Sequence, residues 1–202
     1  MAQLGKAGSY SAFVFDLDGT LIRLPVRWDD VISDLQDLFG VQRPLGPAFS
    51  TLAKLLEERP EMRKASFDII DRYEMESISS AVPIRGSADL VRALAGRGSV
   101  CVVTMQGRAA CAASLEKLGV LSRVKAMVTR EDSLTRSGQI MIALGHAGAG
   151  PKEALFVGDL PNDVAEAGKA GVEIAVIGDS DLGAGAGRAF ATCRELFEFL
   201  LS

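Results

Sequence analysis

Five side chains in this sequence have the types and spacing to do chemistry on an anion. Asp16 and Asp18 stand in Asp16-Leu17-Asp18-Gly19-Thr20, Thr104 follows Val100–Val103, and Asp159 and Asp163 stand in Gly158-Asp159-x-x-x-Asp163. Each group directly follows a short apolar run. One polar residue at the end of an apolar run is ordinary surface, but three such junctions in this pattern are not. If the runs are parallel strands, their carboxyl ends share one edge, and that edge is where ligands gather. Acids and a hydroxyl would then converge. Carboxylates brought near a phosphate monoester repel it. At about 4 Å and an effective dielectric of about 20, the cost is on the order of 4 kcal/mol per pair. A hard cation held by oxygens offsets that repulsion, so phosphoryl chemistry at such an edge would call for a metal such as magnesium.

The elements that must position these residues can be read from the same runs. Ala12–Phe15, Val100–Val103, Ala154–Val157 and Ile174–Ile177 are short and mostly β-branched or aromatic, and they lack in/out alternation. Val124–Val128 is a weaker case. Such runs suit strands covered on both faces. Between them lie helical patterns. Ser87–Ala95 is one, with Ser87 as its cap and Gly96 as its stop. The others are Gly107–Leu118, Asn162–Ala170 and Cys193–Leu201. Alternating strand and helix predicts an α/β fold with a parallel sheet. Residues 24–82 break the rhythm. Trp28, Val31, Ile32, Leu35, Leu38 and Phe39 recur at helical spacing and Gly40 closes the run. A second helix is expected over Pro47–Glu58, and a third from Pro60 carries Phe67, Ile70, Tyr73 and Met75. This predicts a core of residues 1–23 and 83–202 and a helical cap of residues 24–82. Leu24-Pro25 and Val82-Pro83 would be its junctions.

With these motifs the sequence resembles the haloacid dehalogenase superfamily along nearly its whole length. Phe13 to Leu21 looks like the first motif, Val103-Thr104 the second, and Leu155 to Asp163 the fourth. The helical insertion is similar to the small cap of the phosphoglycolate phosphatase-like branch. The resemblance implies a doubly wound parallel sheet, a Rossmann-like core, with the cap over the site. In that reading Asp16 is the nucleophile and forms an aspartyl phosphate. Asp18 protonates the leaving oxygen and then activates water, its pKa raised by neighbouring carboxylates. Thr104 donates to a phosphoryl oxygen. Asp16 and Asp159 hold the metal, the backbone carbonyl of Asp18 joins them, and Asp163 supports. Gly19 lets the chain turn close to the substrate. Dehalogenases of the superfamily carry no second aspartate at the position of Asp18, so its presence favours phosphoryl transfer.

Two positions depart from the pattern. No lysine stands at the expected distance before Asp159, and Arg136 is the nearest substitute, with Arg130 next. A guanidinium can grip phosphate through two donors, but it is not equivalent to an ammonium. Met105 replaces a usually polar residue beside the hydroxyl. Arg23, Arg27 and, more weakly, Arg85 could meet an anionic substrate or remain surface charges. His146 reads as a loop residue, Asp179-Ser180-Asp181 as an acidic loop, and Gly183–Gly187 as a loose one. Gly145–Lys152 has the wrong spacing for a phosphate loop and precedes a strand.

Composition limits the partners. A net charge of −4 and a pI near 5.1 argue against a nucleic-acid surface. They leave room for a small phosphorylated metabolite, whose pocket needs only one or two cations. No apolar run approaches the roughly 18 residues of a membrane span, and Met1–Tyr10 has no leader-like stretch. Cys101, Cys111 and Cys193 form neither a disulfide framework nor a zinc pattern, so a cytoplasmic location is expected. The expected activity is a magnesium-dependent phosphatase. A sugar phosphomutase of the same superfamily and a weakened phosphate-ligand binder stay open beside it. Substrate identity and oligomeric state are open.

Overall fold

The computed structural model describes residues 4–41, 48–178 and 188–202. Six parallel strands form its centre, in the order β5-β4-β1-β6-β7-β8. They are β1 (Ala12–Asp16), β4 (Ser99–Val103), β5 (Ala126–Val128), β6 (Ala154–Gly158), β7 (Glu173–Ile177) and β8 (Arg188–Phe190). Alternate residues face opposite sides, and both sides are covered. Phe13, Phe15, Val100, Val102, Leu155, Val157 and Ala175 pack against α4 (Ser87–Ala95), α5 (Arg108–Lys117) and α8 (Cys193–Leu201). Ala12, Val14, Cys101, Val103, Phe156 and Ile174 pack against α6 (Arg136–Ala147) and α7 (Pro161–Ala170). Double coverage is why the strand sequences read as unbroken apolar runs. This is the doubly wound, Rossmann-like α/β fold. From β1 the chain winds outward through β4 and β5, then returns to the other side of β1 as β6. The winding thus reverses at β1, whose carboxyl end is the expected ligand crevice.

Between β1 and β4 the chain leaves the sheet. β2 (Ile22–Arg23) and β3 (Val82–Pro83) form a two-residue antiparallel ribbon. Three helices lie between them: α1 (Trp28–Phe39), α2 (Ala48–Glu58) and α3 (Arg63–Ser77). They share an apolar cluster of Val31, Leu35, Phe39, Leu52, Leu56, Phe67 and Ile70. α1 ends where Gly40 takes φ +64°, a left-handed cap that only glycine adopts without cost.

Several elements differ from the sequence reading. α6 was not foreseen, and it places His146 in its last turn instead of a loop. Gly138 and Gly145 dilute its helical pattern. Thr135, whose Oγ1 accepts from the Gly138 amide, and Gly148 at φ +73° nonetheless bracket it as caps. β8 and the β2–β3 ribbon were likewise not expected. Ser87 is the first helical residue of α4, with Gly86 as the cap, and its hydroxyl donates to the Leu21 carbonyl at 2.7 Å. Asp179–Asp181, Gly183–Gly187 and Pro47 lie outside the described residues. All three cysteines are free and buried.

Candidate active site

Asp16 ends β1, Thr104 follows β4, Asp159 follows β6, and Asp163 lies in the first turn of α7. Because β4, β1 and β6 are adjacent and parallel, their termini bring these residues to one edge. Asp16 is only 3% exposed. Burial pushes its carboxyl well above the usual range. The Arg136 guanidinium opposes that shift, while Asp163, Asp159 and Asp18 add to it. Asp159 is pushed up to about 6, first by burial and then by Asp163. Asp18 also rises. Burial is the leading cause there, not the neighbouring carboxylates expected from sequence, and the Leu24 amide and Arg23 oppose it.

Local structure explains how these acids are held. After β1 the chain turns back on itself: the Gly19 amide donates to the Ile22 carbonyl at 2.9 Å, and Asp18 Oδ1 accepts from the Leu24 amide at 2.7 Å. Gly19 takes φ +91°, and a Cβ there would overlap the Asp159 carboxylate. Only glycine allows both the turn and the close approach. Thr20, buried and given no role by sequence reading, donates its hydroxyl to Asp159 Oδ1 at 3.1 Å. Asp163 Oδ2 accepts from the amides of Leu160 (3.1 Å) and Asp159 (3.3 Å), which fixes the turn into α7.

The cation of the site comes from α6. Arg136 is its first residue, with Nη2 2.5 Å from Asp16 Oδ1 and Nε 3.4 Å from Asp163 Oδ1. A cation at a helix N-terminus opposes the helix dipole by some tenths of a kcal/mol or more. The carboxylates around it offset that cost, and Glu166 adds to them by accepting the Ser137 amide at 3.0 Å. Gln139, fully buried, joins the two halves of the site. Its Oε1 accepts from Arg136 Nη1 at 2.9 Å. Its Nε2 donates to the carbonyls of Thr104 (2.7 Å) and Ser133 (3.0 Å). Sequence reading passed over Gln139. The available signal was its place one turn into α6 from Arg136, which needed α6 to be recognised.

The remaining candidates are placed differently. Thr104 is buried, and its Oγ1 accepts from the Gln106 amide at 3.1 Å, which leaves its own O–H as a donor. Arg23 is exposed, near enough to Asp18 to act on its titration. Arg27 is drawn to other acids: it pairs with Asp30 (3.3 Å) and Glu76 (3.5 Å) and lies over the Tyr73 ring. Arg85 lines a surface cleft with Asp89, Thr192 and Arg194. Arg130 is wholly buried against Glu74 and Asp71.

The donor set suits a hard divalent cation. It offers only oxygens, from carboxylates whose shared burial favours added positive charge. Among the described residues no group of three His, Cys, Asp or Glu side chains is arranged to hold a metal ion by itself. Magnesium does not require one, since it is usually held by one or two carboxylates with water and substrate oxygens.

Known proteins share this fold. The chain shares its fold with a hydrolase from Pseudomonas syringae at 20% identity and TM-score 0.74, over 95% of this chain and 97% of that one. A haloacid dehalogenase-like family hydrolase from Streptococcus pneumoniae aligns at 19% identity and TM-score 0.67, over 95% and 98%. A predicted phosphoglycolate phosphatase from Haemophilus somnus aligns at 18% and 0.66, over 94% and 97%. No curated protein matches the chain in sequence. The family pattern of the haloacid dehalogenase-like hydrolases, in contrast, matches residues 13–177, a span that begins at β1, ends with β7 and contains every acid of the strand-end cluster. The chain therefore belongs to the haloacid dehalogenase-like hydrolases.

Proposed function

We propose that this hydrolase is a magnesium-dependent phosphatase of a small phosphorylated metabolite. The observation that carries the reading is Arg136 against Asp16. A buried carboxylate at the end of the central strand faces a guanidinium at 2.5 Å, with a second acid, Asp18, two residues on. Asp16 and Asp159 would hold the metal with the backbone carbonyl of Asp18, and Asp163 would support them. Bound magnesium supplies positive charge that offsets the repulsion between phosphoryl oxygens and carboxylates.

The chain's own residues account for the rest. A carboxylate oxygen of Asp16 bonds to phosphorus as the ester P–O bond breaks. Asp18, whose burial favours its protonated form, gives that proton to the leaving oxygen. It then takes a proton from the water that attacks the aspartyl phosphate, which releases phosphate and restores Asp16. Thr104 donates its hydroxyl to a phosphoryl oxygen. We assign Arg136 the part that the family resemblance gives to a lysine, and its two-sided donor face suits both Asp16 and a phosphoryl oxygen. The α1–α3 unit covers the site and keeps water from the first step. Among the described residues no helix is long and apolar enough to cross a membrane.

The test is phosphate release from an aryl phosphate and from a panel of phosphorylated metabolites. Turnover is expected with magnesium and is lost on chelation and in Asp16→Asn. Wild-type protein that stays silent with magnesium across the panel would overturn the reading.

A further inference from the structure

Arg130 follows β5 by two residues and is a fully buried side chain with three acceptors. Nη1 donates to Glu74 Oε1 and to the Met105 carbonyl, both at 2.8 Å, and Nη2 donates to Asp71 Oδ1. Glu74 and Asp71 both belong to α3. Glu74 is itself 1% exposed, and its other oxygen accepts from the Gly107 amide at 2.9 Å. The guanidinium also lies 5.4 Å from the ring centroid of Phe67, another α3 residue. Contact is so close that a Cβ on Gly107 would overlap the Asp71 carboxylate.

The segment held in this way is the one that presents Thr104. Its backbone is gripped from two sides. Gln139 of the core holds the Thr104 carbonyl. Arg130 holds the Met105 carbonyl, and α3, through Glu74, holds the Gly107 amide. The grip is poorly explained as stabilisation alone. Arg130 Nε is buried with no hydrogen-bond partner, and a buried ion cluster seldom outperforms apolar side chains of similar volume.

We propose that Arg130 is a positioning residue that makes the placement of the Thr104 hydroxyl depend on α3 being seated on the core. When α3 lifts, Glu74 and Asp71 leave with it, the Gly107 amide loses its acceptor, and Arg130 keeps only Met105. The 104–107 segment then relaxes and Thr104 loses its aim. The catalytic half of this inference rests on the phosphatase reading; the mechanical half does not.

The experiment compares the full-length wild type with Arg130→Met, Thr104→Val and the double variant. It measures aryl phosphate hydrolysis with magnesium and amide hydrogen exchange. Thr104→Val removes one hydrogen bond to a charged group and should cost roughly 10- to 100-fold in kcat. Arg130→Met should cost no more than that, and the double variant should match Thr104→Val within about twofold, because both act through one hydroxyl. Exchange at Gly107 should quicken at least tenfold in Arg130→Met, while Val100–Val103 of β4 keep their protection. If Arg130→Met does not fold, Arg130→Lys keeps the buried charge paired but lacks the flat fork that spans three acceptors. It should show the same non-additivity with a smaller loss. Losses that multiply, or Gly107 exchange unchanged in a folded variant, would overturn the proposal. A silent wild type with a normal Gly107 response would instead sink the phosphatase reading and leave the clamp standing.

Discussion

Two arginines on the sheet's carboxyl edge, Arg136 and Arg130, each face two carboxylates, but their settings differ. Arg136 keeps 12% of its side chain exposed, and its acids belong to the sheet end and α7. Arg130 has no exposure, and its acids belong to α3. In the proposed function the first would trade a carboxylate for an incoming anion, since part of its side chain faces solvent. The second is enclosed and can trade nothing without moving a helix. Near-identical local chemistry would then support exchange in one place and anchorage in the other. Accessibility makes the difference, not residue type.

The contrast breaks most readily at Arg136. Arg136→Met should lower kcat with an aryl phosphate by about 10²–10³-fold, the usual cost of removing a donor aimed at developing negative charge. Arg136→Lys should recover part of that, since the charge returns without the fork. If Arg136→Met turns over like wild type, the guanidinium is only a structural counter-ion to Asp16 and Asp163, and the two arginines are alike after all. A smaller effect is expected one turn along α6. Gln139→Leu cuts the link between Arg136 and the Thr104 carbonyl. It should cost about tenfold in kcat, and some 1–3 kcal/mol in denaturant unfolding because buried carbonyls lose their donor. A stability loss with kcat intact would confine Gln139 to packing.

Legibility in the sequence follows the same division. The core strands were readable because both faces are buried, so each is a plain apolar run, and the acids that follow them were readable because strand ends are turn positions. Arg136 was nameable only by elimination. What bound it to Asp16 was the start of α6, and two internal glycines hid that helix from its periodicity. Gln139 was hidden with it. Arg130 shows a harder limit. Its partners Asp71 and Glu74 lie 59 and 56 residues away in sequence, and nothing local marks them. Glu74 in particular reads as the polar face of α3, yet it is buried because that face meets the 104–107 segment. Ion pairs between separate units are set by docking geometry, which one sequence does not spell out.

The smallest expected effect sharpens the comparison from outside. Arg27 also has two acidic partners, Asp30 and Glu76, but its side chain is 67% exposed. Exposed pairs at such distances contribute about 0–1 kcal/mol, since water screens the attraction and ordering two long side chains costs entropy. Arg27→Ala should therefore shift unfolding free energy by no more than about 0.5 kcal/mol. It should leave KM for a small aryl phosphate within about twofold of wild type. A tenfold rise in KM with kcat unchanged would mean that Arg27 leaves Asp30 and Glu76 to bind the substrate. Partner exchange would then extend to an exposed arginine of the α1–α3 side, and accessibility, more than proximity to Asp16, would decide which cations of this protein can meet a phosphate.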